Sequence, residues 1–445
     1  MTADVTLLEA SDRLGGIIQS TAQDGFLFEH SADSFIVADD LPWAGQLCDK
    51  LNVRLIPTAK AHRGALILRG TTFYSVPEGL QLLSVRNLAS VLTTPLLSWR
   101  GKLRVAAERF VPAKTDDREE SLEEFAVRRF GREMFERIIQ PLVSGIYTAD
   151  PQKLSIAATL PQFVQREKKH GSLARAAMTL RSNAADRGAR YSLFRSPEGG
   201  MQSLVDALAT CLPSVRIRTG SPVEELSRDE SGWRLRVKGT QETYDGVVCA
   251  TSATGASRLL HNAAPKLSSV VQEIEHVTTA VVCFGYRRSQ IAHALNAFGC
   301  VIPHIEQRKI LAVSFTHVKF PTRAPADHAL LRVFVGGALQ PEIAEQSDDE
   351  LMATCREELS AVLGISGDPV TSLIVRWRKT TPQYHLGHLD RVAEIQRLTE
   401  SLPHFEIAGN AYRGVGIPHC VRSGWEAADG ILAALASKSS RANIS

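Results

Sequence analysis

Glu9, Arg13, Gly15 and Gly16 fall within one short stretch, Leu7-Leu8-Glu9-Ala10-Ser11-Asp12-Arg13-Leu14-Gly15-Gly16. An acidic residue at the carboxyl end of a strand accepts hydrogen bonds from ribose hydroxyls in a Rossmann-type dinucleotide site. An arginine can pair with phosphate, and two glycines let backbone amides approach a ligand with no Cβ in the way. The same residues also suit a surface turn after an edge strand. Near the other end, Phe405-Glu406-Ile407-Ala408-Gly409-Asn410-Ala411-Tyr412-Arg413-Gly414-Val415-Gly416-Ile417-Pro418 reads as a strand, a glycine-spaced loop and a helix with Pro418 near its first position. That order turns free helix amides and a positive dipole end toward the loop. An anionic reduced flavin, whose charge gathers around N1 and C2=O, would gain from such an end.

These two segments need strands to carry them. Asp4 to Leu8 is a short β-type run that delivers Glu9. Further strands are expected at 26–29, 64–69 and 72–76, with a helix near 41–52. From about 85 to 194 the alternation gives way to successive helices at 84–92, 99–110, 121–130, 132–140 and 160–180. Strands return at 214–217, 222–226, 232–238 and 243–249, with Ser231-Gly232 as a turn, and again at 278–286, 310–316 and 328–336. Ser347-Asp348-Asp349-Glu350 is a capping box opening a helix that carries Leu351, Cys355, Leu359 and Val362 on one face and stops at Gly364. A strand at 370–377, a helix at 388–401, a strand at 405–408 and a last helix from about 419 follow. On that last helix Val421, Gly424, Trp425, Ala428, Ile431 and Leu432 make the expected core stripe.

Composition narrows the function classes. The chain has 445 residues, a net charge of +3 and no basic run, which argues against nucleic acid as a partner. Seven cysteines without a CxxC pair or a His–Cys cluster read as reduced core thiols, and no metal is expected. His276, His317 and His385 lack ligand-like spacing and read as structural. No apolar run approaches the roughly 20 residues of a membrane span, and the first residues do not resemble a signal peptide. The helical stretch 85–194 carries 19 Lys/Arg against 12 Asp/Glu. Its basic face could meet an anionic substrate or an anionic membrane surface, or simply be a solvated helix face.

The residues around Glu9 resemble the second FAD motif of the amine-oxidase and porphyrinogen-oxidase superfamily, and Ala408 to Ile417 is similar to its C-terminal flavin motif. Ser75-Val76-Pro77-Glu78-Gly79-Leu80, Gln140-Pro141-Leu142-Val143-Ser144-Gly145-Ile146-Tyr147, Leu331-Arg332-Val333-Phe334-Val335-Gly336-Gly337 and Pro382-Gln383-Tyr384-His385-Leu386-Gly387-His388 resemble protoporphyrinogen and coproporphyrinogen III oxidases. The resemblance implies a fold of α/β and α+β class: a discontinuous Rossmann-like FAD domain over 1–68, 195–268 and 376–445, a mixed-sheet substrate domain over 69–84 and 269–375, and a helical, membrane-facing insertion over 85–194. The superfamily's Gly-x-Gly-x-x-Gly loop lies roughly 20 residues before the ribose-binding acid. Only eight residues precede Glu9, so the chain is expected to start inside the βαβ unit, its first strand, loop and helix missing, from a misplaced start or a truncation.

The resemblance implies the chemistry as well. Such enzymes oxidise a porphyrinogen in three two-electron steps, hydride passing from a meso carbon to flavin N5 and dioxygen leaving as hydrogen peroxide. The cofactor carries the reaction, so no catalytic side chain is assigned. By the same resemblance Glu9, Arg13, Gly15 and Gly16 would grip the adenylate side of FAD. Val223 would meet adenine, with Ala250 and Thr251 on the adjoining strand end. Ser31, Ala32, Asp33 and Ser34 would run beside the isoalloxazine, where relatives often have Gly-Pro. Trp377 would lie near the ring, and Gly409, Asn410, Gly414, Val415, Gly416 and Ile417 would hold it. Gly145, Phe298, Gly299 and Val301 match positions that sandwich the tetrapyrrole. Some relatives pair a propionate with Arg or Lys where this chain has Gln81. The expected partners are the porphyrinogen and dioxygen, with room for a homodimer and for peripheral contact with the inner face of the membrane from the cytoplasm. An amine oxidase or carotenoid desaturase on the same fold, or a flavin-free relative that binds tetrapyrrole or a partner without turnover, remain open at this point.

Overall fold

The capping box at Ser347 forms as read. The Glu350 amide donates to Ser347 Oγ at 3.4 Å, and the Ser347 amide donates to Glu350 Oε2 at 3.0 Å. The helix it opens, α3 (Asp348–Leu363), buries Leu351, Cys355 and Leu359 completely and ends at Gly364, where φ is +62°. The computed structural model describes residues 3–180, 190–230 and 232–442. The end of the expected helical stretch at 181–189 and the turn residue Ser231 lie outside these residues.

Helix α3 packs on a seven-stranded mixed sheet. In chain order its strands are β2 (Leu66–Arg69), β3 (Thr72–Ser75), β6 (His276–Arg287), β7 (Gly299–Val301), β8 (Ala312–Phe315), β9 (His328–Gly336) and β10 (Thr371–Pro382), arranged β10-β6-β9-β8-β7-β2-β3. All neighbours are antiparallel except β7 and β2. The period-two alternation of β6 and β9 sends Val282, Phe284, Leu331 and Val333 to the face covered by α3, and Val281, Cys283 and Leu330 to the opposite face. Both faces are buried, which is why these strands read as continuous apolar runs. The sheet holds β2 and β10 whole, so the boundaries expected at 68/69 and 375/376 each pass through one of its strands.

The strands that carry the two chemically suggestive ends lie elsewhere. β1 (Thr6–Leu8) pairs in parallel with β4 (Arg216–Arg218), and β5 (Val247–Cys249) pairs in parallel with β11 (Phe405–Ile407), as two separate ribbons. Helix α4 (His388–Glu400) packs beside β11, and helix α5 (Ile417–Ala442) lies over β5 and β11 and against α1 (Trp43–Lys50). Its expected core stripe is core only in part: Val421, Trp425 and Ile431 are half-buried, Gly424 and Ala428 are exposed and Leu432 is 39% exposed, while Pro418 and Ala427 are buried. A two-stranded ribbon is too narrow to cover a helix of this length, so its apolar face is only partly shielded.

Three other expectations shift. Residues 80–85 fold into a two-stranded β-turn, so the expected 84–92 helix begins only at Leu88. The expected 160–180 helix breaks at Gly171, φ +72°, into Pro161–His170 and Leu173–Leu180. Helix 132–140 runs on through a π-turn at Phe135–Ile139 into α2 (Gln140–Tyr147). The helical stretch has its own apolar core, centred on Phe125, Phe130, Ile138 and Leu154, beside a buried ionic knot. In it Arg129, fully buried, pairs with Glu108 and with Glu167 (3.1 Å), while Arg128 pairs with Glu120 (2.8 Å) and Glu167 (2.7 Å). Removing one member of such a knot strands the others in low dielectric. Arg129→Met is therefore expected to lower unfolding free energy by about 3 kcal/mol, read from urea denaturation.

Candidate functional site

Parallel strands put their carboxyl ends, and the loops that follow, on one side of the sheet. At the end of β1, the Glu9 amide donates to the Arg218 carbonyl at 3.0 Å, and the Ser221 amide donates to the Glu9 carbonyl at 2.8 Å. This sets Ser221-Pro222-Val223 beside Glu9, and Leu8 and Val223 share one apolar cluster. Glu9 Oε1 accepts from the Ser11 amide (2.7 Å) and Ser11 Oγ (2.8 Å), which orients the carboxylate at the strand end. Arg13 is turned inward. Its guanidinium donates to the carbonyls of Leu14 and Ile18, both at 3.0 Å, and to that of Gly16. Here it closes the turn rather than reaching outward as a phosphate partner would. Gly15 (φ +103°) packs against Val205, whereas Gly16 (φ +57°) has no atom within 4 Å of where a Cβ would stand.

The second ribbon ends in the same manner. The Ala408 amide donates to the Cys249 carbonyl at 3.0 Å, and Ala250 and Thr251 continue from there. The Thr251 carbonyl lies 3.7 Å from the Cβ position of Gly409 (φ +135°), whose amide donates to Ser423 Oγ at 3.1 Å. Asn410 follows, and Gly414, Val415 and Gly416 lead into Ile417, the first residue of α5. Two sequence-expected groups are thus brought together, Glu9 with Val223 and Thr251 with Gly409.

The segment Ser31–Ser34 is anchored by ion pairs. Asp33 pairs with Lys319 at 2.7 Å and with Arg332 at 3.3 Å, and Ser34 Oγ donates to the same carboxylate at 2.8 Å. Burial alone would raise the Asp33 carboxyl, but Lys319 and Arg332 together hold it well below the usual carboxylate range. Arg332 also donates to the Ser31 carbonyl, and Trp377 Nε1 donates to the His30 carbonyl at 2.9 Å. Trp377, on β10, thus holds the residue just before the Ser31 segment, and Ala32 is carried between two anchored neighbours, Ser31 and Asp33. Glu29, just upstream, accepts from Ser20 Oγ (2.6 Å) and the Met201 amide (3.0 Å), and burial raises its carboxyl. Lys319 and Arg332 were not read from the sequence as site residues. Arg332 stands inside the Leu331–Gly337 motif, while Lys319 carries no local signal.

The substrate positions divide. Gly145 is exposed on α2, with nothing within 4 Å of its Cβ position, and α2 packs against β7. Val301 on β7 is half-buried against the helical core. Phe298 is only 6% exposed, and its ring meets Tyr191 edge-on at 5.8 Å, so the ring is part of the packing. A Cβ at Gly299 would run into the Val313 backbone across the strand pair, which accounts for that glycine without a ligand.

The arrangement suits a flavin: an oriented acid at one strand end, a glycine loop feeding a helix at the other, and open space at Gly16 where a side chain would intrude. The family of flavin-containing amine oxidoreductases matches residues 2–432. The chain belongs to this family. Within it, the chain is similar to porphyrinogen oxidases. It is 31% identical over 426 residues to coproporphyrinogen III oxidase of Bacillus subtilis, covering 95% of this chain and 90% of that protein. It is 29% identical over 471 residues to protoporphyrinogen oxidase 2, chloroplastic/mitochondrial, of Arabidopsis thaliana, covering 98% and 90%. A solved structure assigned as a protoporphyrinogen oxidase from Exiguobacterium sp. 255-15 superposes with a TM-score of 0.84 at 28% identity, covering 97% of this chain and 92% of that one. Reduced UDP-galactopyranose mutase, at 17% identity and a TM-score of 0.73, shares the fold alone. The fold class, the membership of the porphyrinogen-oxidase family and the flavin read from the sequence are thereby supported.

Asp33→Asn would leave Lys319 and Arg332 facing an uncharged amide in a buried site. An expected loss is about 3 kcal/mol at pH 7. A carboxyl held low in the folded state stabilises above its unfolded pKa and loses that contribution as pH falls. The difference between the two proteins should therefore narrow below about pH 4, measured by urea unfolding across pH.

Proposed function

We propose that this flavoenzyme oxidises a porphyrinogen, protoporphyrinogen IX or coproporphyrinogen III, to the porphyrin in haem biosynthesis, using FAD and dioxygen and releasing hydrogen peroxide. The observation that carries the reading is identity to named coproporphyrinogen III and protoporphyrinogen oxidases along nearly the whole chain. When bound, FAD would supply the hydride acceptor for the meso carbons and the route for electrons to dioxygen.

The protein's own residues bind and orient. Glu9 would accept from the ribose hydroxyls, with Val223 toward the adenine. Ser31–Ser34, pinned by Asp33 to Lys319 and Arg332, would form a rigid edge beside the isoalloxazine, with Trp377 behind it. The loop from Gly409 to Ile417 would present amides and the positive end of α5 to the N1 and C2=O region. Gly145 and Val301, on adjoining elements, would line the tetrapyrrole side, where the missing side chain of Gly145 would let a flat macrocycle approach the helix backbone. No side chain is required to move a proton in this reading. The FAD domain would comprise 1–68, 195–268 and 376–445, the substrate domain 69–84 and 269–375, and the helical domain 85–194.

A peripheral membrane contact is part of the proposal. Trp99, Leu103 and Phe110 are 66%, 58% and 69% exposed, and Arg100 and Arg109 lie over the Trp99 and Phe110 rings. Exposed aromatic and aliphatic side chains among cations suit the headgroup boundary of an anionic bilayer. Among the described residues no helix is long and apolar enough to cross a membrane.

Protein supplied with FAD should convert protoporphyrinogen or coproporphyrinogen to a fluorescent porphyrin with three peroxides per macrocycle; full FAD occupancy without porphyrin would sink the reading. On vesicles containing phosphatidylserine, the protein should sediment, and Trp99→Ser with Phe110→Ser should reduce bound protein about tenfold.

A further inference from the structure

Tyr384 and His388 lie inside the Pro382–His388 turn, far in sequence from the two cofactor-like ends except for their closeness to the glycine loop. Both are 1% exposed. The Tyr384 hydroxyl donates to the Asn410 carbonyl at 2.6 Å and accepts from the Gly414 amide at 2.7 Å. One phenol thus bridges both flanks of the loop. The His388 ring lies flat on the Tyr384 ring, centroids 4.0 Å apart and planes inclined by 13°. Its Nε2 sits 3.0 Å from the Tyr412 carbonyl, so that nitrogen carries the hydrogen and donates. Three loop positions, 410, 412 and 414, are therefore held by two stacked rings.

The loop needs such support. Gly414 is at φ +109°, with its Cβ position against the His419 ring, so its conformation is one that other residues resist. The rings are themselves anchored outside the cofactor ribbons. The Ser155 amide donates to the Tyr384 carbonyl at 2.8 Å, Glu119 accepts from the Gly387 amide at 2.6 Å, and Tyr384 belongs to the apolar core of the helical domain. Burial raises the Tyr384 phenol, so it remains a donor, and burial lowers His388 to about 4, so the imidazole stays neutral at physiological pH.

We propose that Tyr384 and His388 are positioning residues that fix the flavin-facing loop, a role resting on the reading of Gly409–Ile417 as the flavin site. They set the loop's shape from the helical domain, and through it the affinity for FAD and the stabilisation of the reduced, anionic ring. An arrangement that only filled space would affect folding and leave bound flavin unchanged.

The test uses the full-length protein with FAD. Tyr384→Phe keeps the ring and its stacking and removes both loop hydrogen bonds. Its FAD dissociation constant should rise about tenfold, the equivalent of one to two net hydrogen bonds, and the flavin midpoint potential at saturating FAD should fall. His388→Phe, which keeps an aromatic partner but loses the bond to Tyr412, should shift both in the same direction by a smaller amount. It also stands in if Tyr384→Phe does not fold. Variants with lowered thermal stability but wild-type affinity and potential would overturn the inference while leaving the flavin reading intact. Wild-type protein that binds no FAD would overturn both.

Discussion

A buried carboxylate between two cations ties the N-terminal segment to the seven-stranded sheet, beside the packing of Phe26 and Phe28 on Val281, Cys283 and Leu330. Asp33 follows the Ser20–Glu29 hairpin, while Arg332 stands on β9 and Lys319 ends the short helix Thr316–Lys319 that follows β8. Coulomb attraction at these distances is strong only because water is excluded, and water is excluded only because the two regions are in contact. Arg323 repeats the device a short way off, donating to the Pro197 and Glu198 carbonyls, both at 2.7 Å. Without these cations the Ser31–Ser34 edge would keep, among the described residues, only the hydrogen bond from Trp377 to the His30 carbonyl as its polar tie to the sheet.

Much of the architecture could be read from the chain because local and tertiary preferences agree there. β9 spans His328–Gly336 as its alternation indicates, and α3 starts and stops at its capping box and its glycine. The failures share a cause. Strands Leu55–Pro57 and Phe194–Pro197 are short and exist through pairing with each other across a long stretch of chain, which no local window contains. The stripe on α5 misled because periodicity reports which face could be buried, not whether enough sheet lies beneath it.

The candidate site was legible where backbone chemistry dictates residue type and obscure where side chains act across the fold. Glycines 16, 409 and 414 announce themselves, since positive φ or open approach demands them. Gly299 shows the limit of that logic: the Val313 backbone alone suffices to require its missing side chain. Lys319 contributes through a partner 286 positions away, and nothing near it in the chain marks that. Tyr384 lay in a motif that could be quoted but not explained until the phenol was seen bridging Asn410 and Gly414.

The pairing of the two ribbons has a consequence for how the protein is made. β5 meets its partner only in β11, at Phe405–Ile407, and the glycine loop and α5 come later still. A ribosome delivers the chain from the N-terminus at about 5–20 residues per second, so β1, β4 and β5 must wait tens of seconds for the strand that completes the cofactor crevice. The seven-stranded sheet, closed by β10, and the helical core can assemble before that. On the proposed reading of the glycine loop as the flavin site, flavin acquisition is then a late event in biogenesis.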